Sequence, residues 1–177
     1  MSDGHELLLR RPRHEDVDDI VAQCQDPEFQ RWTSVPVPYH EADAHEFLAR
    51  VAEGWSANTF LTFAIVHEGR FAGSIDLRLD GAGGADVGYG LARWARGNGV
   101  MTRALRLVLA WGFGELGLEV VHWKARVGNW PSRRVATRCG FRVKGTIRGL
   151  VEQRGKRHDG WSGSLCRGDP LVGEPDV

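Results

Sequence analysis

The spacing of apolar residues along this chain alternates between the period of a helix and the period of a strand. Apolar positions recur at helical spacing in the segment 100–116, where Met101, Ala104, Leu105 and Val108 form one stripe. Alternating and β-branched runs fill much of the remaining chain, punctuated by glycine and proline. The helices predicted from these patterns are 14–25, 41–55, 100–116 and 132–139. The strands predicted are 7–10, 59–67, 70–79, 86–91, 119–127, 141–151 and 161–167. The pattern therefore predicts an α+β (mixed α/β) chain with about seven strands and about four helices.

The strand predicted at 86–91 carries almost no side chains on one of its faces. Its even-numbered positions are Asp86, Gly88 and Gly90, which strand alternation places on the same side. Because glycine has no side chain to block close approach, this face favours contact with a ligand. Asp86 would then point to the same side as that ligand.

The segment that follows, 96–99, reads Arg-Gly-Asn-Gly and leads into the helix predicted at 100–116. Backbone amides at a helix N-terminus have no partner within the helix and lie at the positive end of its dipole, so they favour a phosphate. A tight turn alone would explain the two glycines equally well. Gly99 is followed by Val-Met, which does not fit a Walker loop, and 123–126 is Trp-Lys-Ala-Arg where a dinucleotide fold requires an acidic residue. The pattern therefore disfavours ATP and NAD.

Composition and charge narrow the class of protein further. With 177 residues, 42% of them apolar and 26% charged, the chain fits one globular domain, predicted at 1–168, followed by a loose tail at 169–177. Lysine plus arginine (23) equals aspartate plus glutamate (23), which argues against a specific nucleic-acid binder. No apolar stretch is long enough to span a membrane, and the cysteines form no paired motif, so a cytoplasmic protein without a membrane partner is predicted. His40 and His45 are not spaced to share a helix face, and no metal is predicted.

Four segments carry a more specific combination of residues. They are VGYGL at 87–91, ARGNGVMT at 95–102, NWPSRRVA at 129–136 and CGF at 139–141. Together they resemble the GNAT superfamily of acyl-CoA-dependent N-acetyltransferases and, within it, the RimJ/RimL-like ribosomal-protein acetyltransferases, over nearly the whole chain. The resemblance implies a GNAT fold, with a central, mostly antiparallel, splayed mixed sheet whose strands 86–91 and 119–127 diverge to form a cleft. Met101 stands where the family's loop carries a small residue, which predicts crowding of that loop.

The resemblance also implies that acetyl-CoA is the co-substrate. Its pyrophosphate would lie on the backbone of the loop and first helical turn, and its pantetheine arm beside Leu91 and Asn129. Ser132 would hydrogen-bond the sulfur and protonate the leaving thiolate, and a backbone N–H near Leu91 would meet the oxyanion. For Ser132, capping a helix that starts near Arg133 is the alternative role. The cofactor-binding residues implied are Leu91, Arg96, Gly97, Asn98, Gly99, Val100, Met101, Thr102, Asn129 and Ser132.

The candidate catalytic residues are Asp86, Ser132 and Glu152. Asp86 is the first candidate for a general base, because many superfamily members carry a glutamate at the matching place. Glu152 is the second, since RimL-like enzymes carry a glutamate near it. Alignment along the predicted strand puts the position of that family glutamate at Val151, one residue before Glu152. Neighbouring residues of a strand face opposite sides, so Glu152 faces the site only if a β-bulge restores its direction. For both acids the alternative is an exposed carboxylate at a strand end.

The implied activity is the transfer of an acetyl group from acetyl-CoA to a primary amine by direct attack in a ternary complex. The acceptor would be a protein N-terminal α-amine or a small-molecule amine. The alternative is a non-catalytic acyl-CoA-binding sensor or regulatory module. A third hypothesis is docking on ribosomal RNA through the arginines Arg133, Arg134, Arg138 and Arg142. The sequence leaves a homodimer open.

Overall fold

The computed structural model describes residues 1–2 and 6–172 of the chain. Within these ranges the strands are β1 (Leu7–Arg10), β2 (Phe60–His67), β3 (Arg70–Leu79), β4 (Gly84–Leu91), β5 (Val120–Arg126), β6 (Arg142–Gln153) and β7 (Lys156–Cys166). The α-helices are α1 (Val17–Gln25), α2 (Pro27–Trp32), α3 (Glu41–Ala57), α4 (Val100–Gly114) and α5 (Trp130–Arg138). Short 3-10 turns at His14–Asp16 and Arg93–Ala95 lie before α1 and α4. Every predicted strand and helix is present.

The strands form one sheet in the order β1-β2-β3-β4-β5-β7-β6. The neighbours pair antiparallel, apart from β4 and β5, which run parallel. A parallel pair requires a crossover, and α4 supplies it. The predicted mostly antiparallel mixed sheet is therefore confirmed.

The parallel pair separates toward its carboxyl end. Gly84–Val87 pairs with Val120–Trp123. Beyond those residues β4 continues to Leu91 along β3, and β5 continues to Arg126 along β7. The gap that opens between them confirms the predicted divergence of these two strands, and it divides the sheet next to the start of α4.

Helix α4 fixes the position of that gap because its apolar stripe is buried against the sheet. Val100, Leu105 and Val108 are fully buried and belong to the same apolar core as Ile75 and Val121 of the strands. Each fully buried aliphatic side chain contributes about 1.5–3 kcal/mol to folding. A second apolar cluster joins α1 and α3 to the other face of the sheet. The N-terminus of α4 is consequently held rigidly beside β4.

Helix α2 is the element that the hydrophobic pattern did not predict. It is six residues long, and Pro27 occupies its first position, where a missing N–H costs nothing. The Asp26 side chain caps it by accepting a hydrogen bond of 3.2 Å from Glu28 N. The local signal was therefore an Asp-Pro pair rather than apolar periodicity, and a helix this short carries too few apolar positions to show a period.

The last two strands are longer than predicted. They form a hairpin around Arg154 and Gly155, both of which have positive φ. The predicted strands at 141–151 and 161–167 omitted its polar end, since Glu, Gln, Arg and Lys there resemble loop residues. This polar end matters because it reaches the candidate site.

Part of the predicted loose tail is anchored to the body of the protein. Asp169 accepts hydrogen bonds from Arg142 at 2.8 Å and from Cys166 N at 2.9 Å. The carbonyl of Leu171 accepts a bond of 3.0 Å from Arg106, and its side chain packs on the core. These contacts hold Asp169 and Leu171 against the fold, whereas 173–177 lie outside the described residues.

Candidate active site

Two adjoining cavities, which share seven lining residues, occupy the gap between β4 and β5. The one we call the loop cavity has a volume of about 400 Å³ and lies against the segment between β4 and α4. The one we call the sheet cavity has a volume of about 280 Å³ and lies over β3 and the diverging ends of β4 and β5. The residues that line both are Phe29, Trp32, Thr33, Tyr89, Gly90, Asn129 and Ser132.

Nearly all of the predicted cofactor-binding residues lie together on the loop cavity. Its lining includes Leu91, Arg96, Gly97, Gly99, Val100, Met101, Thr102, Asn129 and Ser132. Asn98 is exposed and does not contribute to the lining. The structure therefore brings together residues from β4, α4 and α5 that are up to 41 positions apart, from 91 to 132.

The backbone at the start of α4 is shaped for an anion. Gly97 and Gly99 have φ values of +87° and +73°, a left-handed conformation that favours glycine. A Cβ at either position would meet nothing within 4 Å, so this turn is open to ligand. Gly99 is the N-cap of α4 and provides no side-chain cap, which leaves the first-turn amides available to a phosphate.

Leu91 presents only part of its backbone to the gap. Ala92 N donates to Ala72 O at 2.8 Å, so antiparallel alternation directs the polar groups of Leu91 away from β3. The Arg96 guanidinium donates to Leu91 O at 3.1 and 2.9 Å and also forms an ion pair with Asp26. Because the carbonyl is already engaged, the N–H is the backbone group of Leu91 that is left for a ligand.

Met101 does not crowd the loop. Its side chain is 5% exposed and packs in the apolar core, although it also contributes to the cavity lining. The positions where crowding was expected, beside Gly97 and Gly99, are open. The larger side chain of Met101 is thus accommodated in the apolar core.

Ser132 lies at the junction of the two cavities within a hydrogen-bond network. Its Oγ accepts a bond of 3.1 Å from Trp123 Nε1 and donates one of 3.3 Å to the Tyr89 hydroxyl. The Tyr89 hydroxyl in turn donates to Ser132 O at 2.9 Å. Burial raises the pKa of Tyr89 well above its ordinary value, so the phenol stays protonated.

Ser132 does not cap the helix, contrary to the alternative considered from sequence. Helix α5 begins at Trp130, and its cap is Asn129, whose Oδ1 accepts a bond of 3.2 Å from Ser132 N. Helix α5 therefore starts three residues earlier than the Arg133 expected from sequence. This arrangement leaves the Ser132 hydroxyl free of a capping role.

The two predicted acids are both engaged. Asp86 lies 3.0 Å from Lys124 Nζ in an ion pair and does not contribute to the lining of either cavity. Glu152 lines the sheet cavity, and β6 has a register shift between Ile147 and Val151, the irregularity that this candidate needed. Its carboxylate, however, accepts a bond of 2.6 Å from Gly155 N in the hairpin turn.

The glycine face of β4 is covered by the protein's own side chains. A Cβ on Gly88 would lie 2.8 Å from Asp76 Oδ2 and 3.0 Å from an Arg78 nitrogen. A Cβ on Gly90 would collide with the ring of Phe29. These glycines therefore make room for β3 and α2, and the ligand space lies beyond those side chains.

Asp76 is a residue that the sequence analysis missed. It lies opposite Gly88 in the β3–β4 register and lines the sheet cavity. Arg78 Nη1 is 2.8 Å from its Oδ1, yet that buried oxygen has no hydrogen-bond donor of suitable angle. Burial raises the pKa of Asp76 to about 6 against the opposing charge of Arg78, and Asp86 adds to the rise. Strand alternation in 74–78 was the only signal for it, and that pattern also fits a solvent face.

The wall of the sheet cavity formed by α2 is held in place by Gln153. Its Nε2 donates to the carbonyls of Gln30, Arg31 and Thr33 at 3.2, 3.0 and 2.6 Å. Its Oε1 accepts a bond of 2.9 Å from Arg126. The β6–β7 hairpin therefore positions α2 over the cavity.

Among the described residues, no three His, Cys, Asp or Glu side chains lie close enough to hold a metal ion. The helices in the described ranges are too short or too polar to cross a lipid bilayer.

Comparison with known proteins places these features in a family. Residues 6–142 match the model of the Acetyltransferase (GNAT) domain family. YdaF of Bacillus subtilis (strain 168), whose name describes a ribosomal N-acetyltransferase, is 36% identical over 97 residues, which cover 54% of this chain and 53% of that protein. This match thus reaches about half the length of that relative.

Two solved structures share the fold. RimL, a ribosomal L7/L12 α-N-protein acetyltransferase in complex with coenzyme A, has a TM-score of 0.82 and 18% identity, over 91% of this chain and 94% of that chain. The microcin C7 self-immunity acetyltransferase MccE, in complex with acetyl-CoA and AMP, has a TM-score of 0.83 and 22% identity, over 93% of each chain.

Proposed function

The chain belongs to the GNAT acetyltransferase family, and we propose that it transfers an acetyl group from acetyl-CoA to a primary amine by direct attack in a ternary complex. The observation that carries this proposal is that Ser132 lines both cavities. One cavity offers a backbone anion site, the other contains an acid, and Ser132 lies between them. A thioester donor and an amine acceptor could therefore meet at that residue.

The loop cavity would hold the cofactor mainly through its backbone. Helix-start amides following Gly99 would bind the diphosphate. Arg96 is not free to do so, because its guanidinium is tied to Leu91 O and Asp26. The coenzyme would thus be bound by a rigid cradle of N–H groups, consistent with the coenzymes named for RimL and MccE.

The groups around Ser132 fit the reacting end of a thioester. Acetyl-CoA supplies an activated acetyl group, and the Leu91 N–H would donate to the carbonyl oxygen as negative charge develops on it. The Ser132 hydroxyl would hydrogen-bond the departing sulfur. Since the pKa of the Tyr89 phenol is raised, Tyr89 orients Ser132 and does not itself give up a proton to a thiolate.

The acceptor that we propose is a protein N-terminal α-amine. An α-amine has a pKa near 8 and a lysine amine near 10.4, so the former needs less help to lose its proton. The name of YdaF supports a ribosomal protein as the target. Small-molecule amines are the second class of acceptor, supported by the name of MccE.

The continuous sheet supports one catalytic domain over 1–168, and we propose a cytoplasmic location.

The test is to incubate the protein with acetyl-CoA and a panel of N-terminal peptides, polyamines and other amines while free thiol is measured. We expect thiol release that depends on at least one acceptor, with an N-terminal peptide as the best. CoA should also raise the melting temperature, since a ligand at 100 times its Kd stabilises the native state by about 2.7 kcal/mol. Stabilisation without thiol release would favour a non-catalytic sensor, and the absence of both would refute the proposal.

A further inference from the structure

We propose that Asp76 is the catalytic base of this enzyme and that it takes the proton from an acceptor that binds in the sheet cavity as its ammonium form. This inference rests on the proposed acetyl transfer and adds the group that makes the amine nucleophilic. Asp76 is assigned this role from its place in the cavity wall and from its register opposite Gly88, beside the Ser132 network.

Asp76 lies where it can meet an acceptor amine next to the thioester site. Asp76 lines the sheet cavity together with Ser132, so an amine in that cavity can contact the carboxylate and face the thioester site. The β3–β4 register puts Asp76 opposite Gly88, and Gly88 is the residue before Tyr89, which hydrogen-bonds Ser132. The acid and the hydroxyl are thus fixed by two adjacent strands and their contact with α5. A base built on a rigid sheet is well suited to hold a reacting geometry.

The Asp76 side chain is partly exposed in the wall of the sheet cavity. The Asp76 side chain keeps 18% exposure, and its buried Oδ1 lies 2.8 Å from Arg78 Nη1 in an ion pair. An ammonium in the sheet cavity would therefore meet the exposed part of the Asp76 side chain rather than this buried oxygen. Asp86 lines neither cavity, and the Glu152 carboxylate accepts a hydrogen bond from Gly155 N in the hairpin turn.

Charged groups of both signs lie around Asp76. The same face of the sheet carries Arg78, Asp86 and Lys124, and the cavity lining adds Arg126 and Glu152. The wall formed by α2 and the residue after it is uncharged, with Phe29, Trp32 and Thr33. Arg78 and Asp86 act on Asp76 in opposite directions, and burial sets the outcome, a pKa of about 6. A base with this pKa is ionised at neutral pH and is still basic enough to accept a proton from an α-ammonium.

The proton and electron balance is complete without another reactant. Asp76 removes one proton from R–NH3⁺ and later releases it to solvent. The nitrogen lone pair forms the C–N bond at the thioester carbonyl, and collapse of the adduct breaks the C–S bond. The nitrogen then loses a second proton, and the departing thiolate takes up one proton while the Ser132 hydroxyl hydrogen-bonds the sulfur. The products are R–NH–acetyl and the free thiol.

The experiment compares Asp76→Asn with the wild-type protein over pH 5 to 10, measuring kcat/KM for an N-terminal peptide. The wild-type profile should show a limb near pH 6 from the base. In the Asn variant kcat/KM should fall about 100-fold at pH 7, and its pH profile should lack that limb. The value of kcat/KM should recover as the peptide's own amine deprotonates near pH 8. With an alkoxyamine acceptor, which is neutral at pH 7, the substitution should lower kcat/KM far less.

Each contrary outcome identifies what has failed. If the wild-type protein releases thiol but Asp76→Asn keeps its rate and its limb near pH 6, this inference is wrong and the proposed function stands. A loss of that limb in Asp86→Asn or Glu152→Gln, rather than in Asp76→Asn, overturns it as well. A wild-type protein that binds CoA without releasing thiol defeats the proposed function. A CoA-dependent rise in melting temperature verifies that the variant is folded. If Asp76→Asn does not fold, Asp76→Glu replaces it, and the limb of its kcat/KM profile should move to a different pH.

Discussion

The indole N–H of Trp123 donates a hydrogen bond of 3.1 Å to Ser132 Oγ, which ties a buried residue of β5 to the first turn of α5. Indole can only donate, so this contact requires the serine oxygen to accept. The serine proton is then left to point to Tyr89 or to a ligand. The two strands that diverge at the gap, β4 and β5, therefore meet again through one hydroxyl.

Replacing Ser132 by alanine should lower kcat by about 10-fold to 100-fold while the Kd for CoA stays the same. The sulfur is the only part of the coenzyme that the hydroxyl would contact, whereas most of the coenzyme would be bound elsewhere on the loop cavity. Stopped assays for kcat and calorimetry for Kd measure the two effects. Trp123→Phe should give a smaller fall, and Ser164→Ala on β7 serves as the control. A Ser132→Ala variant with wild-type kcat would remove Ser132 from the chemistry.

Replacing Gly99 by tryptophan should abolish CoA binding, and replacing it by alanine should not. Both side chains suffer the strain of φ +73°, about 1–2 kcal/mol, so Gly99→Ala controls for the backbone. The alanine Cβ meets nothing within 4 Å, but an indole would fill the open turn. Melting curves with and without CoA make the measurement. If the tryptophan variant keeps the CoA-dependent shift, the diphosphate does not lie at this turn.

The parts of the site that could be predicted from sequence are those encoded locally. The Gly97 and Gly99 turn, the stripe of α4 and the alternation of β4 are each determined by neighbours within a few residues. Such patterns survive folding unchanged, which explains why most of the predicted cofactor residues line one cavity.

What could not be predicted depends on contacts between distant segments. Asp76 joins the site only through its register with Gly88, and nothing in its own strand distinguishes it from a solvent-facing acid. Arg96 resembles a phosphate ligand in sequence, but in the fold it turns back to Leu91 O and Asp26. Phe29 covers Gly90 because α2 packs there, and that helix gave no periodic signal.

Replacing Gln153 by glutamate should raise KM for the acceptor by about 10-fold and leave the Kd for CoA unchanged. The substitution is nearly isosteric, but a carboxylate cannot donate to the carbonyls of Gln30, Arg31 and Thr33. Losing the donor to these three part-buried carbonyls frees α2 from the hairpin. Faster hydrogen exchange in 27–32 would report that release. Lys156→Gln on the same hairpin is the control, and unchanged exchange and KM in Gln153→Glu would contradict the anchoring role.

Replacing Asp16 by alanine should destabilise the fold by about 3 kcal/mol at pH 7, because it leaves a partly buried Arg10 without its partner. Burial alone would raise the pKa of Asp16, but hydrogen bonds from Arg10 and from Arg13 N lower it below its ordinary value. The folded state thus holds this proton less tightly than the unfolded state, so the stabilisation is present above about pH 4 and is lost as the pH falls through the lower, folded pKa. Urea unfolding at pH 7 and at pH 3 measures it: the gap between the wild-type protein and Asp16→Ala should narrow in acid. The exposed Asp18→Ala should stay within about 0.5 kcal/mol of wild type at both pH values. A gap that widened in acid would show that the ion pair does not set the pKa of Asp16.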